Sequence, residues 1–279
     1  MPSPSKAAVL GYPIGHSLSP RLHGFWLHYY GIAGSYEARE VEPQALSAFL
    51  RGLQDNGFIG VNLTVPHKVA ACGIVDSLDP TAQRIGAVNL VTVDEQGKLL
   101  GRNTDSYGFT QNLLTAGFKP KGGTAFVLGA GGACRAVLVA LSDMGFTDIR
   151  LANRTAEHAE ELAQELSTPH CKISTVAWIK AAHVLSGADL LVNTTSLGMT
   201  GKPPLDFSLA ELPTEAFVTD IVYSPLETDL LRQAKQRCHQ TIDGLGMLLH
   251  QARPAFEAFF GRDPQVTQEL RNFVAGTTK

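Results

Sequence analysis

The chain has 279 residues, a length that favours two domains over one. Apolar residues make up 44% and charged residues 18%, enough apolar surface for packed cores, and the net charge is −3 with no strongly basic half. That balance argues against nucleic acid, which calls for clustered Lys and Arg, and no apolar run reaches the roughly 18 residues of a membrane span.

Cys72, Cys134, Cys171 and Cys238 form no CxxC pair, which suits reduced thiols in a cytosolic protein. The leading Met1-Pro2-Ser3-Pro4-Ser5-Lys6 has no basic cluster and makes a poor signal peptide, so a soluble cytoplasmic protein is expected.

Short apolar runs alternate with amphipathic segments, the signature of an α/β fold. Ala7–Leu10 reads as a first strand. Ser19 and Pro20 open a helix, with Ser19 as N-cap and a core stripe of Leu22, Phe25, Trp26 and Tyr29. Tyr36–Val41 reads as a strand, Pro43–Gln54 as a helix and Phe58–Leu63 as a strand. Val88–Val93 and Lys98–Gly101 suggest a hairpin around Asp94–Gly97, and a helix should begin near Asp105.

The breaker stretch Lys119-Pro120-Lys121-Gly122-Gly123 separates this half from a second pattern of strand, glycine turn, helix and strand. Thr124–Leu128 is its first strand. Cys134, Val137, Leu138 and Leu141 mark the buried face of a helix, and Ile149–Ala152 is the next strand. Thr155 caps a helix that buries Ala159, Leu162, Ala163 and Leu166. Strands are expected at Leu190–Asn193 and Phe217–Val222, and helices at Leu226–Arg237, Leu245–Phe260 and Pro264–Val274.

The turn Gly129-Ala130-Gly131-Gly132-Ala133 lies between a strand and a helix. Glycine lets the backbone approach a pyrophosphate, and the helix N-terminus offers free N–H groups. Cys134 stands where the third glycine of G-x-G-x-x-G would be, so the motif is irregular. Asn153-Arg154-Thr155, after the second strand, offers a guanidinium where an NAD site carries a carboxylate, which favours the 2′-phosphate of NADP. His158, one turn on, is a further candidate near that phosphate.

A dinucleotide implies hydride transfer, and charge developing on a carbonyl oxygen needs a proton or a cation beside it. Lys68 follows a strand end, and an ordinary lysine is protonated at neutral pH and can donate. Asp105 is the candidate to orient it; the alternative is a surface ion pair, since no spacing rule links the two. Ser17 and Ser19 could bind a carboxylate at a helix start. Asn62, Thr64 and Asn89 are polar groups at strand ends. His16 and His67 read as turn residues, and the nine histidines lack metal-ligand spacing, so no metal is inferred.

The full series of motifs resembles the shikimate dehydrogenase family. It runs through Gly11-Tyr12-Pro13-Ile14-Gly15-His16-Ser17-Leu18-Ser19-Pro20, Asn62-Leu63-Thr64-Val65-Pro66-His67-Lys68, Gly86-Ala87-Val88-Asn89, Asn103-Thr104-Asp105 and the two cofactor segments. Asn193-Thr194-Thr195-Ser196-Leu197-Gly198-Met199, Asp220-Ile221-Val222-Tyr223-Ser224-Pro225 and Asp243-Gly244-Leu245-Gly246-Met247-Leu248 complete it.

The resemblance implies two domains. A substrate domain would span residues 1–105, completed by 244–279, and a doubly wound Rossmann-type NADP domain would span 106–243, with the active site in the cleft between them. It implies reversible NADPH-dependent reduction of 3-dehydroshikimate to shikimate, an oxidoreductase step of chorismate and aromatic amino-acid biosynthesis. Lys68 and Asp105 would be the catalytic pair, both also touching substrate. Ser17 and Ser19 would hold the substrate carboxylate, with Asn62, Thr64, Asn89, Tyr223 and Gln251 around the ring. Gly129, Ala130, Gly131, Gly132, Ala133, Asn153, Arg154, Thr155, His158 and Thr195 would hold NADP, with Ile221, Gly244 and Met247 near the nicotinamide. Many relatives carry a second Arg where His158 stands. Two alternatives are a dual quinate/shikimate enzyme using NAD and a non-catalytic metabolite sensor of the same fold. A monomer or a homodimer fits equally.

Overall fold

The structure, a computed structural model, describes residues 5–277, so the expectation about the leading Met1–Pro4 segment lies outside it. The chain divides into two compact units. One runs to Asp105 and resumes at Leu249, and the other is the continuous stretch Ser106–Leu248.

The first unit contains β1 (Ser5–Gly11), α1 (Ser19–Tyr29), β2 (Gly34–Glu40), α2 (Leu46–Arg51), β3 (Phe58–Leu63), β4 (Ser77–Leu78), α3 (Pro80–Ile85), β5 (Leu90–Val93) and β6 (Leu99–Arg102). Its six strands form one mixed sheet in the order β2-β1-β3-β5-β6-β4. The central β1 pairs in parallel with β2 and β3, and β5 turns antiparallel to β3 and β6. Ala7, Ala8, Val9 and Leu10 are all buried, as a central strand covered on both faces requires. Ala8, Leu10, Val61 and Leu63 point into a core with Leu46, Leu50 and Leu99.

Asp105 is also the first residue of α4 (Asp105–Thr115). The second unit continues with β7 (Thr124–Leu128), α5 (Gly132–Asp143), β8 (Asp148–Asn153), α6 (Ala156–Leu166), β9 (Lys172–Ala177), β10 (Leu190–Asn193), β11 (Phe217–Asp220), α7 (Asp229–Gln236) and β12 (Gln240–Ile242). Its sheet runs β12-β11-β10-β7-β8-β9 and is parallel throughout. The order reverses between β7 and β10, the switch point outside which open α/β sheets bind ligands. The chain then returns to the first unit within α8 (Leu245–Phe260) and ends on α9 (Gln268–Ala275). There Trp26 donates its Nε1–H to the Gln265 carbonyl at 3.1 Å, and Phe256 meets the rings of Trp26 and His23. Gly60 of β3 lies under Phe259: a Cβ there would come within 2.6 Å of the ring.

Several expectations change. The N-cap of α1 is Leu18, whose backbone is already helical, and Ser17 Oγ accepts from the Ser19 N–H at 3.3 Å, so Ser17 makes the turn. The buried stripe of α1 is Ser19, Leu22, His23, Trp26 and Leu27; it is rotated toward His23 and Leu27, leaving Tyr29 62% exposed. The helix expected over Pro43–Gln54 is a 3₁₀ turn at Pro43–Ala45 followed by the short α2. Helix α7 starts only at Asp229 because Thr228 caps it, and α9 starts after Thr267 for the same reason. Thr155 occupies the N-cap of α6 without a cap bond, and Ala163 is half-buried. Strands β4, β9 and β12 and helix α3 lie outside the elements expected from the apolar pattern.

Candidate active site

Strand β3 delivers the lysine loop. Leu63 N–H donates to the Asn89 carbonyl at 2.9 Å and Thr64 N–H to Leu10 at 2.9 Å, which ties the strand end into the sheet. The His67 ring is buried and its Nε2–H donates to the Val41 carbonyl at 2.9 Å; burial lowers its pKa. The Lys68 carbonyl accepts from Val88 N–H at 2.8 Å. The neighbouring Gly11–Ser17 loop docks closely here: a Cβ on Gly11 would come within 2.6 Å of the Thr64 methyl, and Tyr12 N–H donates to Val65 O at 3.1 Å.

Lys68 Nζ donates to Asp105 Oδ2 at 2.6 Å, with side chains 13% and 5% exposed. Asp105 Oδ1 accepts from Asn89 Nδ2 at 2.8 Å. As the first residue of α4 the carboxylate also meets the positive end of the helix dipole. An Asx turn, Asp105 N–H to Asn103 Oδ1 at 2.9 Å, sets its backbone, and Asn103 is itself held by the Ala87 carbonyl at 2.8 Å.

Asn89 Nδ2 has two hydrogens and three acceptors in range: Asp105 Oδ1, Thr104 Oγ1 at 2.9 Å and Gln251 Oε1 at 3.3 Å. The charged oxygen makes the strongest bond, so Thr104 and Gln251 compete for the second hydrogen. Asn62 Nδ2 donates to the Asn89 carbonyl at 3.0 Å and its Oδ1 accepts from Tyr36 Oη at 2.7 Å. Burial pushes the Tyr36 phenol well above its usual range, with the Ser19 hydroxyl pulling the other way. Ser19, Asn62, Asn89, Lys68, Asp105 and Gln251 thus share one network. The Thr64 hydroxyl makes no hydrogen bond among the described residues.

In the second unit, the glycine turn follows β7 at the switch point. Gly129 has φ +102°, and a Cβ there would meet Thr194 Oγ1 at 2.7 Å. Thr194 Oγ–H is fixed by donating to the Leu128 carbonyl at 2.7 Å. Gly131 caps α5 with no side chain on the first-turn N–H groups, and open space surrounds its Cα. Cys134 faces inward, its thiol pushed up to about 12 by burial, so a small apolar contact is what it provides.

Arg154 and His158 are exposed, and the Arg154 guanidinium has no partner among the described residues; Asn153 Nδ2 braces the loop through the Thr155 carbonyl at 2.8 Å. The open space at Gly131, the uncapped helix N–H groups and, among the described residues, an unengaged guanidinium fit a phosphorylated dinucleotide. Tyr223 and Ile221 are half-buried after β11. Met247 is buried at the start of α8, and a Cβ on Gly244 would overlap the Ile221 carbonyl, so those segments touch through backbone.

Family models match along the chain: the shikimate dehydrogenase substrate binding domain over residues 9–91, shikimate / quinate 5-dehydrogenase over 114–199, and the shikimate 5′-dehydrogenase C-terminal domain over 244–268. A shikimate dehydrogenase (NADP(+)) of Paramagnetospirillum magneticum is 54% identical, the alignment covering 96% of this chain and 97% of that one. The chain belongs to the shikimate dehydrogenase family. Among solved members, the shikimate 5-dehydrogenase of Thermus thermophilus in complex with NADP(H) and shikimate is 38% identical, covers 98% of this chain and 100% of its own, and has a TM-score of 0.86. A quinate dehydrogenase of Corynebacterium glutamicum in complex with NAD is 29% identical over 98% of this chain and 99% of its own, with a TM-score of 0.90.

This family member also carries residues to which the motifs gave no role. Tyr36 is the only buried residue of an otherwise polar β2, a pattern that could have marked it. Asn193 and Asp220 end adjacent strands and are hydrogen-bonded to each other at 3.0 Å, a pairing that needs the strand order to be seen.

Proposed function

We propose that this chain catalyses the reversible NADPH-dependent reduction of 3-dehydroshikimate to shikimate in the cytoplasm. The observation that carries the reading is the Lys68–Asp105 pair, with Asp105 buried and Lys68 largely so. Desolvating an ion pair brings little net stability, so a pair in this setting argues for chemistry. NADPH, when bound, supplies the hydride. As the carbonyl carbon is reduced its oxygen gains charge, and Lys68 gives that oxygen a proton; in the reverse direction Lys68 takes the hydroxyl proton. Asp105 holds the ammonium in place, and Asn89 holds Asp105. Ser17 and Ser19 take the substrate carboxylate, while Asn62, Thr64, Tyr223 and Gln251 frame the ring. Gly129–Ala133 would hold the pyrophosphate with Thr195, Asn153–Thr155 and His158 would serve the 2′-phosphate, and Ile221, Gly244 and Met247 would serve the nicotinamide.

The second reading, quinate with NAD, gains from the high structural likeness to the Corynebacterium enzyme. An unengaged Arg154 where NAD sites place a carboxylate favours NADP. An assay of two substrates against two cofactors separates them: shikimate with NADP should be turned over far faster than quinate with NAD, and comparable rates would sink the assignment.

A further inference from the structure

A buried carboxyl group that the proposed chemistry does not use ends β11. Asp220 is 1% exposed. Its Oδ1 accepts from Asn193 Nδ2 and from the Val222 N–H, each at 3.0 Å, and its Oδ2 accepts from the Thr228 hydroxyl at 2.8 Å. The three donors belong to three segments: the end of β10, the Ile221–Tyr223 stretch and the cap of α7. Thr228 in turn accepts from Leu231 N–H at 3.4 Å.

Asn193 relays the order. With its Nδ2 committed to the carboxylate, its Oδ1 faces Thr195 and accepts from the Thr195 N–H at 3.0 Å and hydroxyl at 2.7 Å. A flipped amide would set oxygen against carboxylate and N–H against N–H. Ile221 N–H donates to the Asn193 carbonyl at 3.1 Å. Thr195 and Ile221, both given to the cofactor above, therefore hang on one amide and one carboxylate.

Burial raises the Asp220 pKa to about 6 against the pull of its three hydrogen bonds. Charged and titratable side chains of the adjoining elements include Glu227 just before α7, Asp229, Arg232 and Lys235 along it, and His239 and Asp243 flanking β12. Arg232 pairs with Asp229 and Lys235 with Glu227, and none of the six bonds to Asp220 or shifts it.

We propose that Asp220 is a positioning residue for the cofactor face: ionised, it holds the Thr195 turn and the Ile221–Tyr223 segment in the arrangement that binds NADP. The proposal rests on the NADP reading of that face. The test is calorimetric NADP binding to wild type, Asp220→Asn and Thr228→Val between about pH 8 and about pH 5.5, with the KM for shikimate alongside. Asp220→Asn mimics the protonated acid, so NADP affinity should fall about fivefold at the alkaline end, the worth of one buried hydrogen bond. The KM for shikimate should change less than the NADP affinity, because Tyr223 alone of the ring-framing residues lies on the held segment, and the affinity ratio to wild type should shrink toward one at the acid end. The nucleotide's own phosphate also titrates near ~6, but it does so equally in both proteins. Equal affinities at the alkaline end, or a ratio that ignores pH, would overturn the proposal. Should the variants not fold, the Thr195 and Val222 amide resonances of the wild type must titrate together near pH 6, and unmoved resonances would overturn it independently. A wild type that binds no NADP at all would instead remove the reading beneath it.

Discussion

Lys68 is asked to move one proton, and general acid–base groups contribute about 10²–10⁴-fold. Lys68→Ala should lose turnover on that order while still binding NADP, whose proposed residues lie in the Ser106–Leu248 unit. Near-normal turnover would take Lys68 out of the mechanism. His23 illustrates the opposite kind of buried group. It stacks on Tyr36 at 3.8 Å, its Nδ1 has no partner, and burial lowers its pKa from 6.5 to about 3. A depressed histidine contributes stability above its unfolded pKa and loses it as pH falls toward the folded value. His23→Phe keeps the ring and removes the titration. Its stability relative to wild type should rise by roughly 1.4 kcal/mol per pH unit below about 6.5, read from urea midpoints, and a pH-independent difference would refute this.

At the scale of elements, the glycine turn is the part that tolerates least. Gly129→Ala would need a left-handed residue with its Cβ against the Thr194 hydroxyl, a strain of about 1–3 kcal/mol. NADP affinity should drop at least about tenfold with the KM for shikimate unchanged; a variant with normal affinity would show that the turn yields. The central strands β3, β7 and β10 could be read to the residue from apolar runs, and α8 likewise despite Pro254. The two-residue β4 and the polar-faced β9 carry no such run, and tertiary pairing alone makes them strands. The site divides in the same way. Lys68, Asp105 and Asn89 stand in motifs, whereas their union across 37 residues of sequence depends on β3 and β5 lying side by side. Tyr36 and Asp220 act through partners on other strands, so local pattern could not display their roles.

For the whole molecule, each ligand should leave a separate footprint. Saturating NADP, worth about 2.7 kcal/mol at a hundredfold excess over Kd, should slow amide exchange chiefly within Ser106–Leu248. Shikimate should protect chiefly the residues up to Asp105 and from Leu249 on. Protection spread evenly over both units by either ligand alone would contradict this division of labour. The split of the first unit also has a consequence for biogenesis. Domains usually fold in the order they leave the ribosome. Here the first unit contains the chain's earliest residues but takes Phe256, Phe259 and Gln265 from its last stretch to cover Trp26, His23 and Gly60. During translation the middle stretch has its whole sequence available first, and the nascent N-terminal sheet waits with one aromatic face uncovered until Phe256, Phe259 and Gln265 have been made.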